Sequence, residues 1–183
     1  MWVPSEDEIR ALHERHAPDR DTFDLVWAHC VTVWRIAEQL LPRTAGVDPA
    51  LVKAGCLAHD IGVYRLRGDP YIRHGVLGHE LLREEGLPEA LCRFCSCHTG
   101  VGITRADVAR QALPIPPGDY VAVSEEERLV MYADKFHTKS SPPRFVTADG
   151  YRRDVARFGV DKVVCFDAMV ARYGEPDLTA LRP

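Results

Sequence analysis

Apolar residues recur along this chain at steps of three and four, and that spacing predicts helix nearly throughout. SEDEIRALHERHA opens with Ser5 and Glu8 in capping-box register and predicts a short polar helix, with His13 and His16 exposed. TFDLVWAHCVTVWRIAEQLL places Phe23, Val26, Trp27, Cys30, Val33, Trp34, Ala37 and Leu41 on one broad face, so this helix should be central. GVDPALVKAGCLAHDIG starts cleanly, with Asp48 at the N-cap and Pro49 in the first turn. It stays apolar on all sides up to His59, the mark of a buried helix. YIRHGVLGHELLREEG predicts a helix stopped at Gly86. LPEALCRFCSCH restarts at Pro88, and TRADVARQA is a short helix after Gly102. SEEERLVMYADKFHTKS begins with a second capping box, Ser124 to Glu127, and runs to the stop at PPRF. GYRRDVARFG and DKVVCFDAMVARYG supply the last two helices. No stretch alternates with period two, and LPIPPGDYVAV is a proline-rich loop. The expected fold is all-α: one compact helical bundle over residues 1–183, its core at roughly 22–140, with helices in 149–173 packing on it.

Composition narrows this picture without redirecting it. With 183 residues, 46% hydrophobic and 27% charged, the chain suits a single globular domain. Its net charge of −4 disfavours general nucleic-acid binding. The opening MWVPSEDEIR is acidic and has no apolar leader segment, and no apolar run reaches membrane-span length, so a cytoplasmic protein is expected. Six cysteines in such a compartment are expected to be reduced. The apolar residues Val163, Val164, Phe166 and Met169 could face the core or a partner, so a monomer or a homodimer is expected.

The candidate chemistry lies in the histidines and aspartates. His59 and Asp60 end an otherwise apolar helix, and burying a carboxylate beside an imidazole is costly without a compensating cation. His29 on the central helix and Asp134 in MYADKF stand among apolar neighbours, and His74 and His98 complete a candidate set. Imidazole nitrogen and carboxylate oxygen suit Mn, Fe, Zn, Ni or Mg to differing degrees, and Asp60 is the natural bridge between two ions. By contrast, ALCRFCSCHTG lacks the second ligand pair of a zinc knuckle, since the only later cysteine is Cys165. Cys92 and Cys95 share a helix face as small core residues, and His98 is the reason to look at this stretch.

His29, then His59-Asp60, then Asp134 resembles the HD-domain metal-dependent phosphohydrolase superfamily, in its HDIG form. The histidines of RHGVLGHELL and CHTGVGIT resemble the subgroup with a dinuclear site, ordered H…HD…H…H…D, over roughly residues 22–140. The resemblance implies one divalent ion on His29, His59, Asp60 and Asp134, and a second sharing Asp60 with His74 and His98. It implies a metal-bridging hydroxide attacking a phosphorus, and hence a phosphohydrolase or phosphodiesterase for a nucleotide or other small phosphorylated metabolite. An HD-type di-iron oxygenase cleaving a C–C or C–P bond is the alternative, and a non-catalytic metal or nucleotide sensor a second one. Arg65, Arg73, Arg105, Lys135 and Lys139 are candidates to bind phosphate, with Lys135 pointing about 100° from Asp134 on a helix. Tyr120 is a candidate on the opposite wall or lid. His74 and His79 are about 140° apart on a helix, so only one can reach the ions; the family pattern selects His74 and leaves His79 as a surface residue or a rim proton donor. His137, one turn after Asp134, is a candidate general acid or a group that orients a ligand.

Overall fold

The computed structural model describes residues 2–181. Among these the chain forms helices α1 (Glu6–His16), α2 (Arg20–Leu40), α3 (Pro49–Ala58), α4 (His74–Glu84), α5 (Glu89–Cys97), α6 (Arg105–Arg110), α7 (Glu125–Asp134), α8 (Ala148–Val155) and α9 (Val160–Tyr173). The only pairings of β type among the described residues are two isolated antiparallel bridges, Ile103 with Tyr120 and His137 with Phe145. The fold is all-α. No described helix is long and apolar enough to cross a membrane.

Helix α2 is the axis. It packs against α3 and α7, while α4 lies on α5 and on the 3-10 turn Ile61–Arg65 that continues from α3. Val26, Cys30, Val33, Ile36, Ala37 and Leu40 of α2 are fully buried, with His29 in the same stripe. Capping boxes start α1 and α7, and a third, Thr104 with Asp107, starts α6. Each satisfies amides that a helix start would otherwise leave bare.

Glycine decides how closely the ligand-bearing elements approach. A Cβ on Gly62 would collide with the carbonyl of His74 and the backbone of Gly78, so the turn after Asp60 lies flat on α4. Gly75 and Gly78 in turn face the Cys95 carbonyl and Sγ, which lets α4 seat on α5. Cys92, Cys95 and Cys97 are buried free thiols at this contact. Burial pushes Cys97 up to about 12 and Cys92 to about 11, so both stay protonated and pack as small apolar groups.

Three expectations change. His13 is not exposed: it is fully buried, with Nδ1 2.8 Å from the Tyr64 hydroxyl and Nε2 2.8 Å from the Leu57 carbonyl. The α1 stripe of Ile9 and Leu12 turns His13 inward, where two polar partners replace water. His16 is half-buried against Glu85 at 2.7 Å. Helix α7 stops at Asp134 instead of running on through Ser140, because the Lys135 and Phe136 amides tighten onto Tyr132 and Ala133. At the C-terminus, Phe166 and Met169 enter the core, whereas Val160 and Val164 stay exposed.

Candidate metal centre

The ends of α3, α4, α5 and α7 and the middle of α2 bring six side chains together. One oxygen or nitrogen each from His29, His59, Asp60 and Asp134 falls within 4.8 Å of the others, as does one each from Asp60, His74 and His98. Asp60 belongs to both groups. Its Oδ2 lies 3.2 Å from His29 Nε2 and 3.3 Å from His59 Nε2, and its Oδ1 3.4 Å from His74 Nε2 and 3.5 Å from His98 Nε2. Asp134 Oδ1 closes the first group, 3.0 Å from His29 Nε2 and 3.5 Å from His59 Nε2.

Backbone carbonyls fix which nitrogen of each ring faces inward. His59 Nδ1 donates to the Cys56 carbonyl at 2.7 Å, His74 Nδ1 to the Tyr71 carbonyl at 2.6 Å, and His98 Nδ1 to the Phe94 carbonyl at 3.0 Å. A carbonyl only accepts, so these Nδ1 atoms carry the proton and a neutral ring presents its Nε2 lone pair. Burial lowers the pKa of His74 to about 4 and also lowers that of His98, so both rings are neutral. Their Nε2 atoms nevertheless stand 2.9 Å apart. Two facing lone pairs at that distance repel unless a cation lies between them and Asp60. Both oxygens of Asp60 are buried; Oδ1 has no hydrogen-bond partner, and Oδ2 is met by the Lys139 ammonium. A buried carboxylate shared by two groups of inward imidazole nitrogens, with a single lysine ammonium against it, is a donor set that fits divalent cations.

Charge around the centre agrees. Burial opposes ionisation of Asp60 and Asp134, but Lys139 beside the first and Lys135 beside the second hold both carboxyls well below the usual range. Burial also opposes charge on His59, and the carboxylates outweigh it and draw a proton toward the ring, so a cation binding there competes with that proton.

The other candidates separate into two sets. Lys135 does not turn away from Asp134: at the C-cap it curls back, with Nζ 2.7 Å from Asp134 Oδ2 and 2.8 Å from the His98 carbonyl. The Lys139 ammonium contacts Asp60 Oδ2 and lies 3.4 Å from His29 Nε2. His137 sits past the end of α7, so its position owes nothing to helical spacing; the bridge to Phe145 places it. Its Nδ1 is 2.9 Å from His29 Nδ1. The remaining candidates are engaged elsewhere. Arg65 pairs with Glu84 at 2.7 Å, and Arg73 with Asp69 at 3.0 Å. Arg105 is exposed on α6, and the Tyr120 hydroxyl donates to the Pro116 carbonyl within its own loop at 2.7 Å. His79 faces Ser96 of α5, Nδ1 to Oγ at 3.0 Å, on the side of α4 away from His74. None of these five lines the cavity over the metal ligands.

That cavity holds about 280 Å³, and its lining includes His74, His98, Asp134, Lys135 and His137. Tyr71, Tyr151, Asp154 and Arg157 line it too and were not anticipated. Tyr71 was readable as a neighbour of His74, whose ring it overlaps at 4.5 Å between centroids. The other three come from α8 and the 3-10 turn after it, which no motif connects to the ligands.

A profile of the HD domain matches residues 26–139. The chain belongs to the HD-domain family. Among curated relatives, this HD domain is 39% identical over 117 residues to an uncharacterised protein of Methanocaldococcus jannaschii, covering 61% of this chain and 66% of that protein. It is 32% identical over 133 residues to a tRNA (cytidine(56)-2'-O)-methyltransferase of Picrophilus torridus, covering 73% of this chain. The HD domain spans only 36% of that enzyme, and 31% of a similarly named protein of Thermoplasma volcanium to which it is 34% identical over 111 residues. In solved structures the fold is that of the HD domain of the L. monocytogenes phosphodiesterase PgpH, at 15% identity and a TM-score of 0.53, covering 90% of this chain and 94% of that one. That structure is a complex with cyclic-di-AMP.

Proposed function

We propose that this protein is a metal-dependent phosphohydrolase or phosphodiesterase that cleaves a phosphoester in a nucleotide or other small phosphorylated metabolite. The observation that carries this reading is the pair of neutral imidazoles, His74 and His98, with Nε2 atoms 2.9 Å apart beside the buried Asp60 Oδ1, which has no hydrogen-bond partner. His29, His59, Asp60 and Asp134 would hold one divalent ion, and Asp60, His74 and His98 the other. Such ions acidify water and neutralise charge that develops on phosphoryl oxygens. The chain itself supplies the rest. Lys135 and the neighbouring Lys139 place two ammonium groups where an anion would bind, a charge pattern that suits a phosphate. His137 pins the ring of His29 and is itself neutral, its pKa held near 4 first by burial and then by His29. Membership of the HD-domain family and the fold shared with a phosphodiesterase's HD domain support the same reading. The methyltransferase names belong to proteins of which this chain spans about a third.

The test is metal analysis of the aerobically purified protein, followed by a phosphate-release screen over nucleotides and sugar phosphates with and without Mn²⁺. Asp60→Ala is expected to lose both bound metal and rate, because both groups share that residue. A variant that kept its metals and its rate would overturn the site. Two irons with a near-ultraviolet charge-transfer band, O₂ uptake and no phosphate release would replace hydrolysis with oxygenase chemistry.

A further inference from the structure

Tyr151, Asp154 and Arg157 follow one another at three-residue steps and line the cavity. All three lie outside residues 26–139, the part matched to the HD family. We infer that this C-terminal face is the substrate-selecting wall, built for a nucleoside phosphate that carries a second anionic group. The inference rests on the phosphohydrolase reading and names the substrate class.

Tyr151 is held from behind by Phe166 of α9, with ring centroids 4.8 Å apart. From the ligand side, Lys135 Nζ stands 6.0 Å from the Tyr151 ring centroid and 2.7 Å from Asp134 Oδ2. One ammonium group therefore separates the aromatic face from the metal ligands. A phosphoester seated on the ligands and Lys135 brings whatever it is esterified to against that ring. A flat base gains there by stacking, and a bare sugar gains less. The cavity, at about 280 Å³, lies at the lower edge of small-molecule sites, which run from about 300 to 1,000 Å³. It suits one nucleoside unit better than two.

The outer end of the wall sets the second requirement. Arg157 is exposed, and whereas Arg152 of the preceding helix is held by Asp149 and Asp167, Arg157 makes no such ion pair among the described residues. Its guanidinium lies 4.8 Å from the centre of the neighbouring Phe158 ring. A fork of donors free of an internal partner and steadied on an aromatic face is suited to a phosphate oxygen pair. Asp154, between Tyr151 and Arg157, can accept from sugar hydroxyls. Arg157 is the cation that this end of the wall offers to a distal anion.

The experiment is calorimetric binding to the Mn²⁺-loaded protein of three probes in which every bridging ester oxygen, 5′ and 3′ alike, is replaced by methylene, so that none is cleaved: the analogues of ribose 5-phosphate, adenosine 5′-phosphate and adenosine 3′,5′-bisphosphate. In the unmodified protein each step in that series should tighten binding, by about tenfold for the base and about threefold to tenfold for the second phosphate. Tyr151→Leu should remove the first step and keep the second, and Tyr151→Phe should keep both. Arg157→Ala should remove only the second. Equal affinity for all three probes, or variants that keep both steps, would overturn the proposal. Hydrolysis is scored separately with cleavable esters: cleavage without the affinity order sinks this inference alone, and the order without metal-dependent cleavage sinks the phosphohydrolase reading instead.

Discussion

His29 and His137 meet Nδ1 to Nδ1 at 2.9 Å, with their rings nearly parallel at 21°. If His29 turns Nε2 toward the metal, its Nδ1–H must donate, and His137 is the acceptor that fixes the ring. His137→Ala should therefore weaken metal binding about 10- to 100-fold, as losses of groups that orient ligands commonly do. Mn²⁺ titration by electron paramagnetic resonance would measure it, and an unchanged affinity would contradict the role. At this scale the sequence pointed to the six side chains that the fold brings together, because they stand at apolar helix positions in a recognisable order. It did not carry which cations would stand near them. Long charged side chains take their partners from tertiary neighbours, so Arg65 and Arg73 left for Glu84 and Asp69 while Lys139 folded onto Asp60.

Between elements, Gly62 sets how near α4 comes to Asp60. Gly62→Ala must push the turn off the His74 carbonyl, a backbone that cannot yield as a side chain would. The expected cost is about 1–3 kcal/mol, read by urea unfolding. If two ions are bound, the one at the His74–His98 position should be lost first. Helix α1 is fastened differently, by buried His13. Burial, the largest effect, lowers its pKa to about 4 from an unfolded value of about 6.5. The unfolded chain therefore takes up a proton first. Stability is complete above pH about 6.5 and falls as the pH drops to about 4, by on the order of 3 kcal/mol in all. His13→Leu should flatten that part of the stability–pH curve; an unaltered slope would place the proton uptake elsewhere. Capping boxes at Ser5 and Ser124 were legible because they are local. The inward turn of His13 depended on Tyr64 and Leu57, more than forty residues away, and was not.

Across the whole molecule, α9 is tied to the segment before α7 by Lys162, whose Nζ reaches Asp107 Oδ2 and the Gly102 carbonyl. Both side chains are buried. Lys162→Met leaves Asp107 with Arg110 and the Thr104 cap but without its buried ammonium partner, and should cost about 1.5–3 kcal/mol, measured by denaturant unfolding and little relieved by salt. If the loss is screened away in high salt, the pair is not buried as described. The all-α fold was readable from periodicity alone. That α8 would return to wall the cavity was not, because its spacing shows only that one face is buried and not what that face meets. His29 and Asp134, which touch across 3.0 Å, are 105 residues apart in sequence. A ribosome adding about 5–20 residues each second needs roughly 5–20 s to get from one to the other. Through that interval the emerging histidines are open to any ion nearby. A metal held by both residues would thus be taken up only at the end of synthesis, from the ions present where the chain closes.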